Sequence, residues 1–258
     1  MWAIKSERDG RIDMESYFLT DTGRVREHNE DSVTIVKNRN DEYLLAVADG
    51  MGGHKAGEVA SNIAITHLTN AFNEMEKLGD KADTVKWIRK EAEEINNEIF
   101  EYTASHPESK GMGSTLVLAI YTKEYLLFGN IGDSSGYVIK NDELFKITKD
   151  HTLVNLLVKN GELTEAEAQN HPKKNILMRA LGANNPIEID IFDVENEVEG
   201  ILLSSDGLTS MLNNTQIEKV LLQDGTLEEK VIKLIRKANV RGGTDNISIA
   251  CLFTKEAE

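Results

Sequence analysis

Five places in this 258-residue chain set acidic side chains at the ends of apolar runs. Ala46-Val47-Ala48-Asp49-Gly50, Gly129-Asn130-Ile131-Gly132-Asp133 and Leu202-Leu203-Ser204-Ser205-Asp206-Gly207 each close a run on an aspartate in a Gly- or Asn-containing turn. Gly243-Thr244-Asp245-Asn246 and the pair Glu30-Asp31 lead into theirs. A strand end is a rigid mount, and a neighbouring glycine lets backbone carbonyls approach an ion. If these ends converge, several carboxylates share one cleft, where like charges either take up protons or recruit a cation. The donor set is oxygen-rich, with no cysteine partner and no paired histidines at metal spacing. That chemistry favours Mg2+ or Mn2+ over zinc. Two such ions sharing one water generate hydroxide near neutral pH and draw a phosphate dianion towards an acidic surface. Each Asp-Gly alone is an ordinary turn, so the pattern leaves both turns and a metal cluster open.

The elements that must carry these residues are short β-rich runs: ESYFLT, SVTIVK, YLLAVA, STLVLAIY, YLLFGN, SGYVIK, LFKIT, GILLSS and NISIACLF. Lys123–Glu124 and Lys140–Asn141–Asp142 separate neighbours by turn-like residues, a spacing that suits hairpins and antiparallel sheet. Two long helices lie between the strand blocks. In one, Val59, Ile63, Leu68, Phe72 and Met75 share a side; in the next, Val85, Ile88, Ala92, Ile95, Ile99 and Tyr102 recur at steps of three and four. Later helices open on the pairs Thr164/Glu167, Thr215/Glu218 and Thr226/Glu229, read as capping boxes. The mixture predicts an α+β chain of sheets covered by helices, in one domain without a linker or repeat.

Composition narrows the partners. Forty-four acidic against 29 basic residues give a net charge of -15, with no Lys/Arg-rich block, which argues against nucleic acid. The longest apolar run, Leu116 to Tyr121, is far short of the roughly 20 residues of a membrane helix. The charged N-terminus does not read as a signal peptide. One cysteine, Cys251, excludes intramolecular disulfides and cysteine-based zinc sites. The expectation is a cytoplasmic protein without a membrane span.

Six ordered segments resemble the type 2C (PPM) metal-dependent serine/threonine protein phosphatases in their short bacterial form: TDTGRVREHNEDS (20–32), ADGMGGHKAGEVAS (48–61), GMGSTLV (111–117), GNIGDSS (129–135), SSDGLT (204–209) and GGTDNIS (242–248). The resemblance runs from about Met14 to Phe253. It implies a four-layer αββα sandwich: two stacked, mostly antiparallel sheets, a helix pair outside each, and a metal cleft at one edge. It also implies roles. Asp49 bridges two Mn2+ or Mg2+ ions, the Gly50 carbonyl joins it on one, and Asp206 and Asp245 complete the other. Glu30 and Asp31 orient metal-bound water from the outer sphere. Asp133, with Asp206, matches a third site, and Arg26 matches the phosphate-anchoring arginine. His54 protonates the departing seryl or threonyl oxygen. His67 is read as structural, and His28, His106, His151 and His171 have no comparable context.

The implied reaction is hydrolysis of phosphoserine and phosphothreonine by a hydroxide shared between the metals, without a phosphoenzyme, opposing a Ser/Thr kinase and carried out by a monomer. Cys251 lacks an arginine six residues on, and no Asp-x-Asp-x-Thr motif appears, so covalent routes have no support. A catalytically weak phosphoprotein-binding member and a hydrolase of small phosphate esters are the rival readings. The segment 151–179 resembles the bacterial flap beside the cleft; a structural helix–turn–helix is the alternative. Two departures stand out. Ser135 occupies the position where the family usually has arginine, and residues 1–13 read as an extension, an expression remnant or an upstream start.

Overall fold

Side-chain alternation along the strands decides the layering. The computed structural model describes residues 14–53, 56–169 and 171–254; residues 1–13 lie outside these. One sheet runs, in spatial order, β1 (Met14–Asp21), β11 (Ile247–Thr254), β10 (Gly200–Ser204), β7 (Ser135–Lys140) and β8 (Glu143–Lys146). The other runs β2 (Asp31–Lys37), β3 (Tyr43–Met51), β5 (Leu116–Tyr121), β6 (Leu126–Ile131) and β9 (Asp190–Val194), with the two-residue β4 (Gly113–Ser114) beside the end of β3. Every pairing is antiparallel.

On β3, Tyr43, Leu45 and Val47 point between the sheets, and Leu44, Ala46 and Ala48 point the other way. On β11, Ala250 and Leu252 meet the inter-sheet core, and Ile247, Ile249 and Cys251 its outer face. Both faces are covered, which is why these strands read as continuous apolar runs rather than as alternating ones. Helices α1 (Ala56–Glu74) and α2 (Lys81–Ser105) cover the β3 sheet, with Phe72, Ile88, Ile95 and Ile99 fully buried. Each such side chain contributes about 1.5–3 kcal/mol. The short α5 (Asp206–Thr209), α6 (Asn214–Leu221) and α7 (Leu227–Val240) cover the β11 sheet through Leu208, Ile217, Val231 and Leu234. The four-layer αββα sandwich is therefore present.

Local chemistry agrees in most places. The β7–β8 hairpin turns through Asn141 and Asp142, both at positive φ (54° and 59°), as a two-residue turn between twisted strands requires. Thr226 and Glu229 form a capping box before α7, and Thr164 with Glu167 does the same before α4 (Glu165–Gln169). Three expectations are corrected. The cap of α6 is Asn213 with Gln216, because an asparagine two residues upstream of Thr215 captures the free N–H first. The buried face of α1 is carried by the small residues Ala60, Ser61 and Ala64 beside Leu68 and Phe72, with Val59 and Ile63 only partly covered. Finally, β9 was not expected as a strand. Its burial is only partial, since an edge strand has one neighbour.

Between β8 and β9 the chain makes an excursion holding α3 (Leu153–Lys159), capped by Thr152, and α4. Leu156, Ile176 and Met178 are exposed there. Among the described residues no helix is long and apolar enough to cross a membrane.

Candidate metal centre

Antiparallel pairing delivers the acidic residues to one end of the sandwich. Asp31 opens β2 directly opposite Asp49 near the end of β3. Asp49 is thus held inside the strand rather than in the turn that its Asp-Gly sequence suggested. Across the inter-sheet gap, Ser205 follows β10, its N–H bound to the Ser248 carbonyl (3.0 Å), and hands the chain to Asp206 at the start of α5. Asp245 stands just before β11. Asp133 follows β6 through Gly132.

The mounts are stiff. The Asp49 N–H donates to Thr115 Oγ1 (3.0 Å), and Thr115 N–H donates to the Asp49 carbonyl (2.9 Å). Thr115 Oγ1 is also 2.8 Å from Ser134 Oγ, beside Asp133. Gly50 permits a very close approach of backbone: a Cβ there would lie 2.1 Å from the Gly57 carbonyl oxygen. Asn246 suspends the loop that carries Arg26, donating to the carbonyls of Thr22 and His28 (2.9 Å each) and accepting from Glu30 N–H (2.8 Å).

The electrostatics follow. Asp31 is buried on the floor of the site, while Asp49, Asp133, Asp206 and Asp245 each keep a solvent-facing edge, as a cleft open to a substrate requires. Burial, followed by the charges of Asp206 and Asp245, raises Asp31 to about 7 even though Ser205 Oγ donates to its Oδ2 (2.7 Å). Burial and then Asp206 raise Asp133 to about 7. Burial and then Asp245 raise Asp206 to about 6. Asp49 is pushed well above the carboxylate range by burial and by Asp31, Asp206, Asp133 and Asp245 together. Glu30 is raised by burial against Arg26 and the Gly57 N–H.

Arg26, half exposed, meets Asp245 Oδ2 at 2.8 Å. One guanidinium does not balance five aspartates. Glu30 Oε1, Asp31 Oδ1 and Asp206 Oδ1 are buried and accept no hydrogen bond. Oxygen-only donors, raised proton affinities and orphaned carboxylate oxygens at one spot fit a hard divalent cation.

The structure therefore brings together Arg26, Glu30, Asp31, Asp49, Gly50, Asp133, Asp206 and Asp245. His54 lies outside the described residues. Ser135 is buried at the start of β7, so the departure from the usual arginine sits inside the sheet. His67, by contrast, stands apart between α1 and α2. Its Nε2 meets Glu91 (2.8 Å), its Nδ1 meets Glu98 (2.7 Å), and Lys90 reaches Glu91 and Glu94, so these glutamates are engaged in ion pairs between the two helices.

Sequence reasoning missed four supporting residues: Thr115, Ser205, Asn246 and His151. The first three lie inside the recognised motifs, but their side chains act across the fold, and spacing does not report that. His151 accepts from Gly132 N–H through Nδ1 (3.1 Å) and faces Asp190 through Nε2 (3.2 Å). Burial lowers its proton affinity.

Comparison with known proteins agrees with this geometry. The family model for protein phosphatase 2C matches residues 22–239. The serine/threonine phosphatase stp of Listeria welshimeri is 44% identical over 237 residues, 92% of this chain and 94% of that protein. The Streptococcus agalactiae serine/threonine phosphatase superposes with a TM-score of 0.89 at 38% identity, covering 94% of this chain and all of that one (100%). The catalytic domain of the serine threonine protein phosphatase PstP, solved in complex with 2 manganese ions, gives a TM-score of 0.76 at 33% identity over 93% of this chain and 97% of its own. On its sequence, its fold and the chemistry of its acidic cleft alike, this chain is a member of the protein phosphatase 2C family.

Proposed function

We infer that the chain hydrolyses phosphoserine and phosphothreonine in protein substrates with the help of divalent cations. The observation that carries this reading is the convergence of five buried or half-buried aspartates and Glu30, with buried oxygens of Glu30, Asp31 and Asp206 that accept no hydrogen bond and one arginine at the open edge. In the proposed assignment Asp49, the Gly50 carbonyl, Asp206 and Asp245 hold two Mn2+ or Mg2+ ions. Glu30 and Asp31 stand in the outer sphere, and Asp133 with Asp206 forms a third, weaker site. When bound, such ions lower the pKa of water and neutralise phosphoryl charge.

The residues of the chain then divide the remaining work. Arg26, released from Asp245 once that carboxylate has another counter-ion, offers a planar fork for two phosphate oxygens. Thr115 and Asn246 hold Asp49 and the Arg26 loop in fixed relation, so that phosphate and carboxylates meet without reorganisation. His54, between β3 and α1 in sequence, is proposed to protonate the leaving serine or threonine oxygen. No nucleophilic side chain is required. We further propose an opposing Ser/Thr kinase, a monomeric state and a cytoplasmic setting.

The test is hydrolysis of a phosphothreonine peptide by EDTA-treated protein, with and without added Mn2+, beside Asp206→Asn. Activity restored by Mn2+ in the wild type and lost by orders of magnitude in the variant supports the reading. Turnover that survives metal removal contradicts it, and binding of the phosphopeptide without turnover points instead to a phosphoprotein-binding protein.

A further inference from the structure

His151 belongs to neither the carboxylate cluster nor the helices α3 and α4; it joins the cluster to the segment that carries them. Its backbone N–H donates to the Gly132 carbonyl (2.8 Å), while Gly132 N–H donates to its Nδ1 (3.1 Å). The ring and main chain of one residue thus clasp both polar groups of the glycine preceding Asp133. That glycine has a φ of +103°, a conformation that needs outside support to stay fixed. Because Nδ1 accepts, the ring proton resides on Nε2, which faces Asp190 Oδ2 at 3.2 Å. Arg179 closes the circuit on Asp190 Oδ1 at 2.6 Å.

The same residue also pins the returning end of the excursion. Met178 N–H donates to the His151 carbonyl, and Leu153 N–H donates to the Ile176 carbonyl (2.8 Å each). Both chain ends of the segment 152–178 are therefore cinched at His151, and through it to the turn that aims Asp133.

We propose that His151 is a positioning residue that couples the segment 152–178 to Asp133, so that the stance of this third carboxylate depends on how the excursion is docked. Its catalytic consequence rests on the phosphatase reading; the coupling itself does not. Asn at 151 places Oδ1 near the position of Nδ1 and accepts from Gly132 N–H, whereas Leu has similar bulk and no acceptor.

The experiment compares His151→Leu, His151→Asn and wild type, in full-length protein, by three measurements. Hydrogen exchange over residues 129–135 in the metal-free protein should rise about tenfold in His151→Leu, the equivalent of one lost hydrogen bond, and stay near wild type in His151→Asn. Calorimetric titration with Mn2+ should show the weakest class of sites loosened about tenfold in the Leu variant only. Steady-state kinetics on a phosphothreonine peptide should then show kcat lowered at limiting Mn2+, with KM little changed, and recovered at saturating Mn2+. Equal exchange and equal Mn2+ binding in all three proteins overturn the proposal. So does a Leu variant that loses thermal stability alone, or an Asn variant as impaired as Leu. If His151→Leu does not fold, His151→Phe, which keeps a flat ring and has no acceptor for Gly132 N–H, provides the same readouts. A wild type that neither binds Mn2+ nor turns over refutes the functional reading instead, while the exchange measurement still decides the coupling.

Discussion

Asp206→Asn should stabilise the metal-free protein while weakening its response to metal. Asp206 is raised from an ordinary 3.8 to about 6 by burial and by Asp245. At about 1.4 kcal/mol per pH unit, keeping it ionised in the fold costs about 3 kcal/mol at pH 8. Its neighbours share that strain, so one substitution returns roughly 1–3 kcal/mol. For a chain of this size each kcal/mol moves the melting point by roughly 2–4 °C, giving a gain of roughly 2–12 °C in EDTA. The gain should shrink as pH falls through about 6, to roughly half at pH 5, and vanish below about pH 4, where the carboxylate is protonated in folded and unfolded chains alike. In excess Mn2+ the order should reverse, because the wild type gains from ligation and the variant has lost a donor. The assay is thermal denaturation in EDTA and in Mn2+, at pH 5 and pH 8. A lower melting point for the variant in EDTA at pH 8, or an equal gain at both pH values, refutes the electrostatic account of the cluster.

Three further expectations follow from the same geometry. Asp31 and Asp133 are raised to about 7, so the folded state holds more protons than the unfolded state between about pH 4 and 7. The stability of the metal-stripped wild type should fall across that window as pH rises, and urea midpoints that stay level or climb contradict this. Gly50→Ala forces a Cβ to 2.1 Å from the Gly57 carbonyl oxygen, whereas a Cβ at Gly53 meets nothing within 4 Å. Denaturation should show a loss above about 3 kcal/mol for the first and within about 0.5 kcal/mol for the second; comparable losses contradict the packing. Arg26→Lys exchanges a fork for a point charge and should raise KM for a phosphothreonine peptide roughly tenfold with a smaller change in kcat. A selective fall in kcat contradicts an anchoring role.

Much of the fold was legible because both faces of the central strands are covered. Runs such as YLLAVA and STLVLAIY have no polar face, so their limits stand out against turns. The edge strand β9 did not stand out, since half of its surface meets solvent and its sequence mixes aspartate with apolar residues. The small-residue face of α1 was hidden for another reason. Ala60 and Ala64 carry little hydrophobic signal, yet they allow the helix to lie close on the sheet. At the site, acidic residues beside glycine were visible as motifs, but their convergence was not, because it depends on antiparallel register, Asp31 against Asp49, and on the spacing between sheets. Thr115 and Asn246 sit inside motifs and His151 outside any, but all three act on residues distant in sequence, and nothing local reports those contacts. His151 was set aside for want of a motif; its partner Gly132 is supplied only by folding.

The central claim is that these carboxylates cage cations. Anomalous diffraction from crystals soaked in Mn2+, with data collected at the manganese edge, tests it most directly. Two peaks roughly 3.5–4 Å apart, both touching Asp49 and flanked by Asp206 and Asp245, are the expected result. An empty cleft in saturating Mn2+, or peaks confined to the His67–Glu91–Glu94 cluster, contradicts the account.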